Sequence, residues 1–120
     1  GEDGHIASLF PKTDAVAESE RWVMANYIPK LDSYRLTLTP VILNQAAWII
    51  FLVTGANKAD VMAKTLEGPH KPSQLPAQMI SPVRGRLLWF LDRAAAGALK
   101  TQISSRQPYV NCPIEKRGIV

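Results

Sequence analysis

Trp48-Ile49-Ile50-Phe51-Leu52-Val53-Thr54-Gly55 is the stretch on which the fold turns. It is continuously apolar and β-favouring, and Gly55 ends it. A strand with both faces buried has this composition, as in a parallel sheet covered by helices. Residues 57–67 follow with helical spacing, which puts Ala59, Met62, Ala63 and Leu66 on one face, and Gly68-Pro69 stops the pattern. Leu87-Leu88-Trp89-Phe90-Leu91 repeats the buried-strand composition, and Asp92 is placed to cap a helix over residues 93–104. Upstream, residues 22–28 read as a strand halted by Pro29, and residues 34–38 as a shorter one. Thr39-Pro40 is a good helix start, with Thr as N-cap, Pro at the first helical position, and Val41, Ile42, Leu43 and Ala46 on the buried face. Residues 69–82 hold Pro69, Pro72, Pro76 and Pro82 and read as a connection with one helical turn around residues 75–79. The alternation of strand and helix predicts an α/β fold with a largely parallel sheet and flanking helices.

Composition narrows the function classes. The chain has 120 residues, 47% hydrophobic and 20% charged, which suits a globular domain and excludes a disordered or collagen-like chain. By length alone one complete domain is expected. A single cysteine, Cys112, cannot form an internal disulfide and reads as a free thiol in a reducing compartment. The apolar run 48–53 is too short to span a bilayer. The opening residues have no basic or apolar leader pattern, so a cytoplasmic protein without membrane attachment is expected. The net charge is +4, yet the Lys and Arg residues are dispersed and no zinc-ligand spacing occurs. No nucleic-acid partner is therefore expected.

Ligands of parallel α/β sheets bind beyond the carboxyl ends of strands, where helices begin. Two segments qualify: the turn 54–58 and the start of the chain. Gly1-Glu2-Asp3-Gly4-His5-Ile6-Ala7-Ser8-Leu9-Phe10-Pro11 reads as a glycine-bearing turn entering a short helical stretch that stops near Pro11. His5 would then sit by a helix N-terminus, and Asp3 could orient it or shape the turn. Histidine is the side chain suited to taking a proton near neutral pH. The spacing equally fits Asp3 as an N-cap and His5 as a surface residue.

The opening eleven residues resemble the signature of the 6-phosphogluconolactonases. Pro29-Lys30-Leu31, Arg35-Leu36-Thr37-Leu38-Thr39, Phe51-Leu52-Val53-Thr54-Gly55-Ala56-Asn57-Lys58-Ala59, Leu75-Pro76-Ala77 and Trp89-Phe90-Leu91-Asp92-Arg93-Ala94-Ala95 resemble successive blocks of the same family. The resemblance runs from Gly1 to about Leu99. It implies a Rossmann-like α/β domain, here incomplete: residues 1–105 as the carboxy-terminal half and residues 106–120 as an irregular tail. The missing amino-terminal half would carry a Gly-Gly-Ser phosphate loop, so the 120 residues alone are expected to be inactive or nearly so.

The resemblance further implies hydrolysis of 6-phospho-D-glucono-1,5-lactone to 6-phosphogluconate, with no metal or organic cofactor. His5 would be the general base and Asp3 its partner. Lys58, just past a buried strand, would meet the substrate phosphate, with Gly4 in the binding turn and Arg35 as a second cation. The related glucosamine-6-phosphate deaminases share the Asp-Gly-His-Ile-Ala opening but carry a proton-relaying Glu before the Pro. Phe10 stands there and can neither accept nor donate that proton. A non-catalytic phosphosugar-binding module is the remaining alternative.

Overall fold

The computed structural model describes residues 1–100. Its strands are β1 (Val23–Ile28), β2 (Ser33–Leu38), β3 (Trp48–Val53) and β4 (Arg86–Leu91), and its α-helices are α1 (Pro40–Leu43) and α2 (Ala59–Glu67). Short 3-10 turns lie at Asp14–Val16, Pro29–Leu31, Ala56–Lys58 and Pro76–Met79. The Leu99 end of the family resemblance falls inside this range. Residues 101–104 of the expected last helix, the tail 106–120 and Cys112 lie outside the described residues.

The strands pair in two separate ladders. β1 and β2 form an antiparallel hairpin with Asn26 opposite Arg35 and Met24 opposite Thr37. β3 and β4 pair in parallel, with Phe51 opposite Trp89. The expectation of one largely parallel sheet is thus met only by β3 and β4. A hairpin forms at β1–β2 because Pro29 to Asp32 make a tight reversal, closed by Asp32 in the left-handed region at φ 46°. Such a short link cannot make the long crossover that parallel neighbours require.

Three helical expectations also change. The helix at Thr39-Pro40 is only Pro40–Leu43, and Thr39 does not cap it with its side chain. The Thr39 hydroxyl donates instead to the Arg21 carbonyl at 2.5 Å, which ties the helix start to the segment before β1. Among the described residues no continuous helix follows Asp92. Its Oδ1 does accept from the Ala95 N–H at 2.7 Å, as a cap would, but residues 93–99 form successive turns. By contrast α2 forms where it was expected and buries Met62 and Leu66, but Val61 and Thr65 complete its buried stripe in place of Ala59 and Ala63, which are only partly buried.

The core lies between α2, the Pro76–Met79 turn and the inner face of the parallel pair. It comprises Met62, Leu66, Ala77, Ile80, Leu87 and Trp89, with Ile49, Phe51 and Val53 packed against it. Phe51 stacks on Trp89 at 3.9 Å between ring centroids. The other face of β3 is open: Trp48, Ile50 and Leu52 are 55%, 53% and 78% exposed. β3 was expected to be covered on both faces, and among the described residues it is covered on one. Nothing among the described residues lies over the outer side. Trp22 is likewise exposed, so of the tryptophans only Trp89 is in the core.

This asymmetry sets mutational costs. In the 120-residue chain, Trp89→Ala should lower unfolding free energy by about 3–5 kcal/mol in denaturant titration, through the lost burial and the cavity left behind. Leu52→Ser should change it by no more than about 0.5 kcal/mol. Equal costs would mean that the outer face of β3 is covered.

Candidate active site

The opening loop does not become a helix. Gly4 (φ 75°) and Ala7 (φ 48°) both take left-handed backbone, which interrupts any right-handed helical run. The chain folds back through a tight turn instead, with the Leu9 N–H donating to the Ile6 carbonyl at 2.8 Å. His5 is therefore not at a helix N-terminus, contrary to expectation. Gly4 is required by geometry: a Cβ there would meet Leu75 Cδ2 at 2.9 Å and face strain at positive φ. Its carbonyl accepts from the Ala77 N–H at 2.9 Å.

Asp3 and His5 form a pair. The His5 Nδ1–H, the tautomer assigned from its carboxylate acceptor, donates to Asp3 Oδ1 at 2.5 Å. The same oxygen accepts the His5 backbone N–H at 3.3 Å. The side chains of His5 and Asp3 are 29% and 30% exposed, so the pair is reachable yet partly screened from water. Partial burial pushes the Asp3 carboxyl up, but the hydrogen bonds and charge of His5 together outweigh it and hold Asp3 below its ordinary value. Lys30 Nζ approaches the other Asp3 oxygen at 3.9 Å. The ring of Phe10 lies flat on the His5 ring, centroids 4.0 Å apart and planes 17° from parallel.

Lys58 reaches the same place from the far end of β3. Gly55, at φ 95°, turns the chain out of the strand, and its N–H donates to Asp92 Oδ2 at 3.0 Å beyond the end of β4. Lys58 then stands immediately before α2, 26% exposed, with Nζ 3.7 Å from Glu2 Oε1. The Asn57 amide donates to the same Glu2 oxygen at 2.6 Å. That hydrogen bond, then the Lys58 charge, keep the Glu2 carboxyl below its ordinary value.

Gly4, His5, Thr54 and Lys58 line one groove of about 420 Å³ against the β3 end. The volume suits a small metabolite. Asp3 faces an adjoining groove of about 660 Å³, with Asn57 and Lys64. A third cavity, of about 240 Å³, lies between α2 and Trp89, near His70, and holds neither His5 nor Lys58. Arg35 does not line the His5 groove. It is exposed on β2, opposite Asn26, and so shares the hairpin face that docks on the opening loop. Among the described residues, no cluster of three or more His, Cys, Asp or Glu side chains could hold a metal ion, and no helix is long and apolar enough to cross a membrane.

Comparison with known proteins decides the family. The family described as glucosamine-6-phosphate isomerases/6-phosphogluconolactonase matches residues 1–89. The chain belongs to this family. The human 6-phosphogluconolactonase is 43% identical over 100 residues, covering 82% of this chain. The probable 6-phosphogluconolactonase 2 of Oryza sativa subsp. indica is 37% identical over 109 residues, covering 85% of it. The chain spans 38% of the length of each of these relatives. The solved 6-phosphogluconolactonase of Trypanosoma brucei superposes with a TM-score of 0.70 at 30% identity, over 82% of this chain and 39% of that one. An α/β fold is common to these family members.

Two neighbours of the Asp3–His5 pair escaped the sequence reading. Lys30 was visible only as part of the Pro29-Lys30-Leu31 block, with nothing to say that it faces Asp3. Phe10 was read for what it cannot do, whereas it packs on the imidazole.

The depressed Asp3 carboxyl has a pH signature. A group whose folded value is lowered stabilises above its unfolded value, and that contribution is lost as pH falls through the folded value. The stability difference between the wild-type chain and Asp3→Asn, measured by denaturant titration, should therefore shrink as pH falls from about 6 to about 3. A difference independent of pH would mean that Asp3 is not held as an anion by His5.

Proposed function

We propose that this chain carries a large part of the active site of a 6-phosphogluconolactonase, hydrolysing 6-phospho-D-glucono-1,5-lactone to 6-phospho-D-gluconate in the oxidative pentose phosphate pathway. The observation that carries the reading is the convergence on one groove of the Asp3-oriented His5, from the opening loop, and of Lys58, from the turn after β3. The names of the relatives support the substrate class.

In this mechanism His5 Nε2 takes a proton from a water as its oxygen adds to the lactone carbonyl carbon. The tetrahedral oxyanion then collapses, the bond from that carbon to the ring oxygen breaks, and the imidazolium returns its proton to the departing ring oxygen. Asp3 holds the tautomer that leaves Nε2 as acceptor and offsets the transient imidazolium charge. Lys58 meets the phosphate as a point charge at the start of α2, and Gly4 lets the backbone turn close beside it. Arg35, expected from the sequence as a second cation, stands outside this groove on the docked face of the hairpin and is given no substrate contact in the mechanism. Neither metal nor organic cofactor enters any step.

The same reading places β3 and β4 in a larger, largely parallel Rossmann-like sheet. Residues 1–105 would belong to its carboxy-terminal half, with the amino-terminal half of the enzyme as partner. The open face of β3 supports this, as does the share of the relatives that the chain spans. A cytoplasmic enzyme without membrane or nucleic-acid partner fits that chemistry.

The test couples lactone hydrolysis to 6-phosphogluconate dehydrogenase, with background hydrolysis subtracted. In the enzyme carrying this chain, His5→Asn should lower kcat by about 100-fold or more. Lys58→Ala should raise KM about tenfold or more, as loss of a charge-assisted phosphate contact does. Near-wild-type turnover by His5→Asn would remove the base assignment. The 120 residues alone should not exceed the buffer rate; robust hydrolysis by them would mean that the described groove is sufficient.

A further inference from the structure

We infer that Phe10 is a positioning residue for His5: its ring face fixes the plane of the imidazole, so that Nε2 is held toward the groove while Nδ1 is held by Asp3. The inference rests on the proposed role of His5 as general base.

The hydrogen bond to Asp3 restrains one atom of the ring. It leaves rotation about the Nδ1···Oδ1 direction open, and the second side-chain torsion of histidine is intrinsically broad. A base must nonetheless present its lone pair within hydrogen-bond reach and along one direction. The stack supplies the missing restraint. With centroids 4.0 Å apart and planes 17° from parallel, the imidazole cannot tilt toward Phe10 without overlap. Among the described residues Nε2 makes no hydrogen bond, so it is the nitrogen left to meet a water.

Phe10 is itself held rigidly. Leu9, before it, is fully buried. The Phe10 carbonyl accepts from the Thr13 hydroxyl at 2.8 Å, and Pro11, after it, restricts the Phe10 backbone to extended conformations. The turn that brings Phe10 back over His5 is pinned to the hairpin on both sides of Ser8. The Ser8 N–H donates to Thr37 Oγ1 at 3.1 Å, and the Asn26 amide donates to the Ser8 carbonyl at 2.8 Å. The left-handed Ala7 within that turn is a strained residue that these contacts maintain.

The ring face also acts on charge. An imidazolium lying over a phenyl face is favoured by the ring quadrupole. The charged groups around His5 are the Asp3 carboxylate at Nδ1, Lys30 beyond Asp3, the Gly1 ammonium donating to the His5 carbonyl at 2.9 Å, and Lys58 with Glu2 across the groove. None of these depends on the residue at position 10. The effect of Phe10 on the His5 ring can therefore be read by substituting Phe10 alone.

The experiment compares Phe10→Leu and Phe10→Tyr in the enzyme carrying this chain, by coupled kinetics and by nitrogen-15 NMR of the His5 ring. Leu keeps apolar volume without a flat face; Tyr keeps the face. For Phe10→Leu, kcat should fall about tenfold with KM within about twofold, as expected for a base out of line rather than a lost binding contact. The His5 ring spectrum should move from one neutral tautomer toward a mixture. Phe10→Tyr should restore both readouts. Phe10→Met replaces the Leu variant should that one not fold. A folded Leu or Met variant with wild-type kcat and an unchanged His5 spectrum would overturn the inference. If His5→Asn keeps activity, it is the base reading that fails, and the NMR comparison still decides whether Phe10 orients the ring.

Discussion

The Gly4 carbonyl accepts from the Ala77 N–H at 2.9 Å, and a Cβ on Gly4 would crowd Leu75 Cδ2 at 2.9 Å on a backbone held at φ 75°. Most of the site depends on this close approach. It fastens the opening loop to the Pro76–Met79 turn and to Val61 of α2, and so brings Asp3 and His5 beside Lys58. A buried backbone carbonyl must find a donor, and Ala77 provides it only at this spacing. Gly4 thus serves the site through conformation, whatever else it touches in the substrate complex.

Lys58 is fixed from the other side. The parallel pairing of β3 and β4 aligns their carboxyl ends, and the Asp92 carboxylate bridges them by accepting the Gly55 N–H while capping the turn at Ala95. The apolar stack of Phe51 on Trp89 beneath sets the separation of the strands from α2. The surface pairs of Glu2 with Asn57 and Lys58 add register between the two halves of the groove. Being exposed, they contribute little to stability. Packing and backbone turns carry the geometry, and the charges occupy the places that packing provides.

The outer surfaces tell a complementary story. Leu36 and Tyr34 on the hairpin, and Ile50 and Leu52 on β3, are apolar and exposed. Their composition is that of residues selected for burial, which is why residues 48–53 read as a strand covered on both faces. Composition reports what a residue is suited to, whereas exposure depends on what lies over it. The β3 reading went astray at this step, even though the strand itself was identified correctly.

Local chemistry in the sequence was enough to locate the strands, α2 and the helical turn at Pro76–Met79, because apolar periodicity and Gly or Pro punctuation act over a few residues. It also marked Asp3, His5 and Lys58 as the groups worth following, through motif spacing and family resemblance. Only the tertiary structure decided that β1 and β2 form a hairpin, that Thr39 bonds Arg21 rather than capping its helix, and that Asp92 caps a turn rather than a long helix. It alone put Phe10 on the His5 ring, Lys30 beside Asp3, and Arg35 away from the groove. The reason is physical: a left-handed residue such as Ala7 is not encoded by its own preference. Contacts of the adjoining Ser8 with Thr37 and Asn26, far along the chain, impose it, and those contacts exist only once the chain has folded.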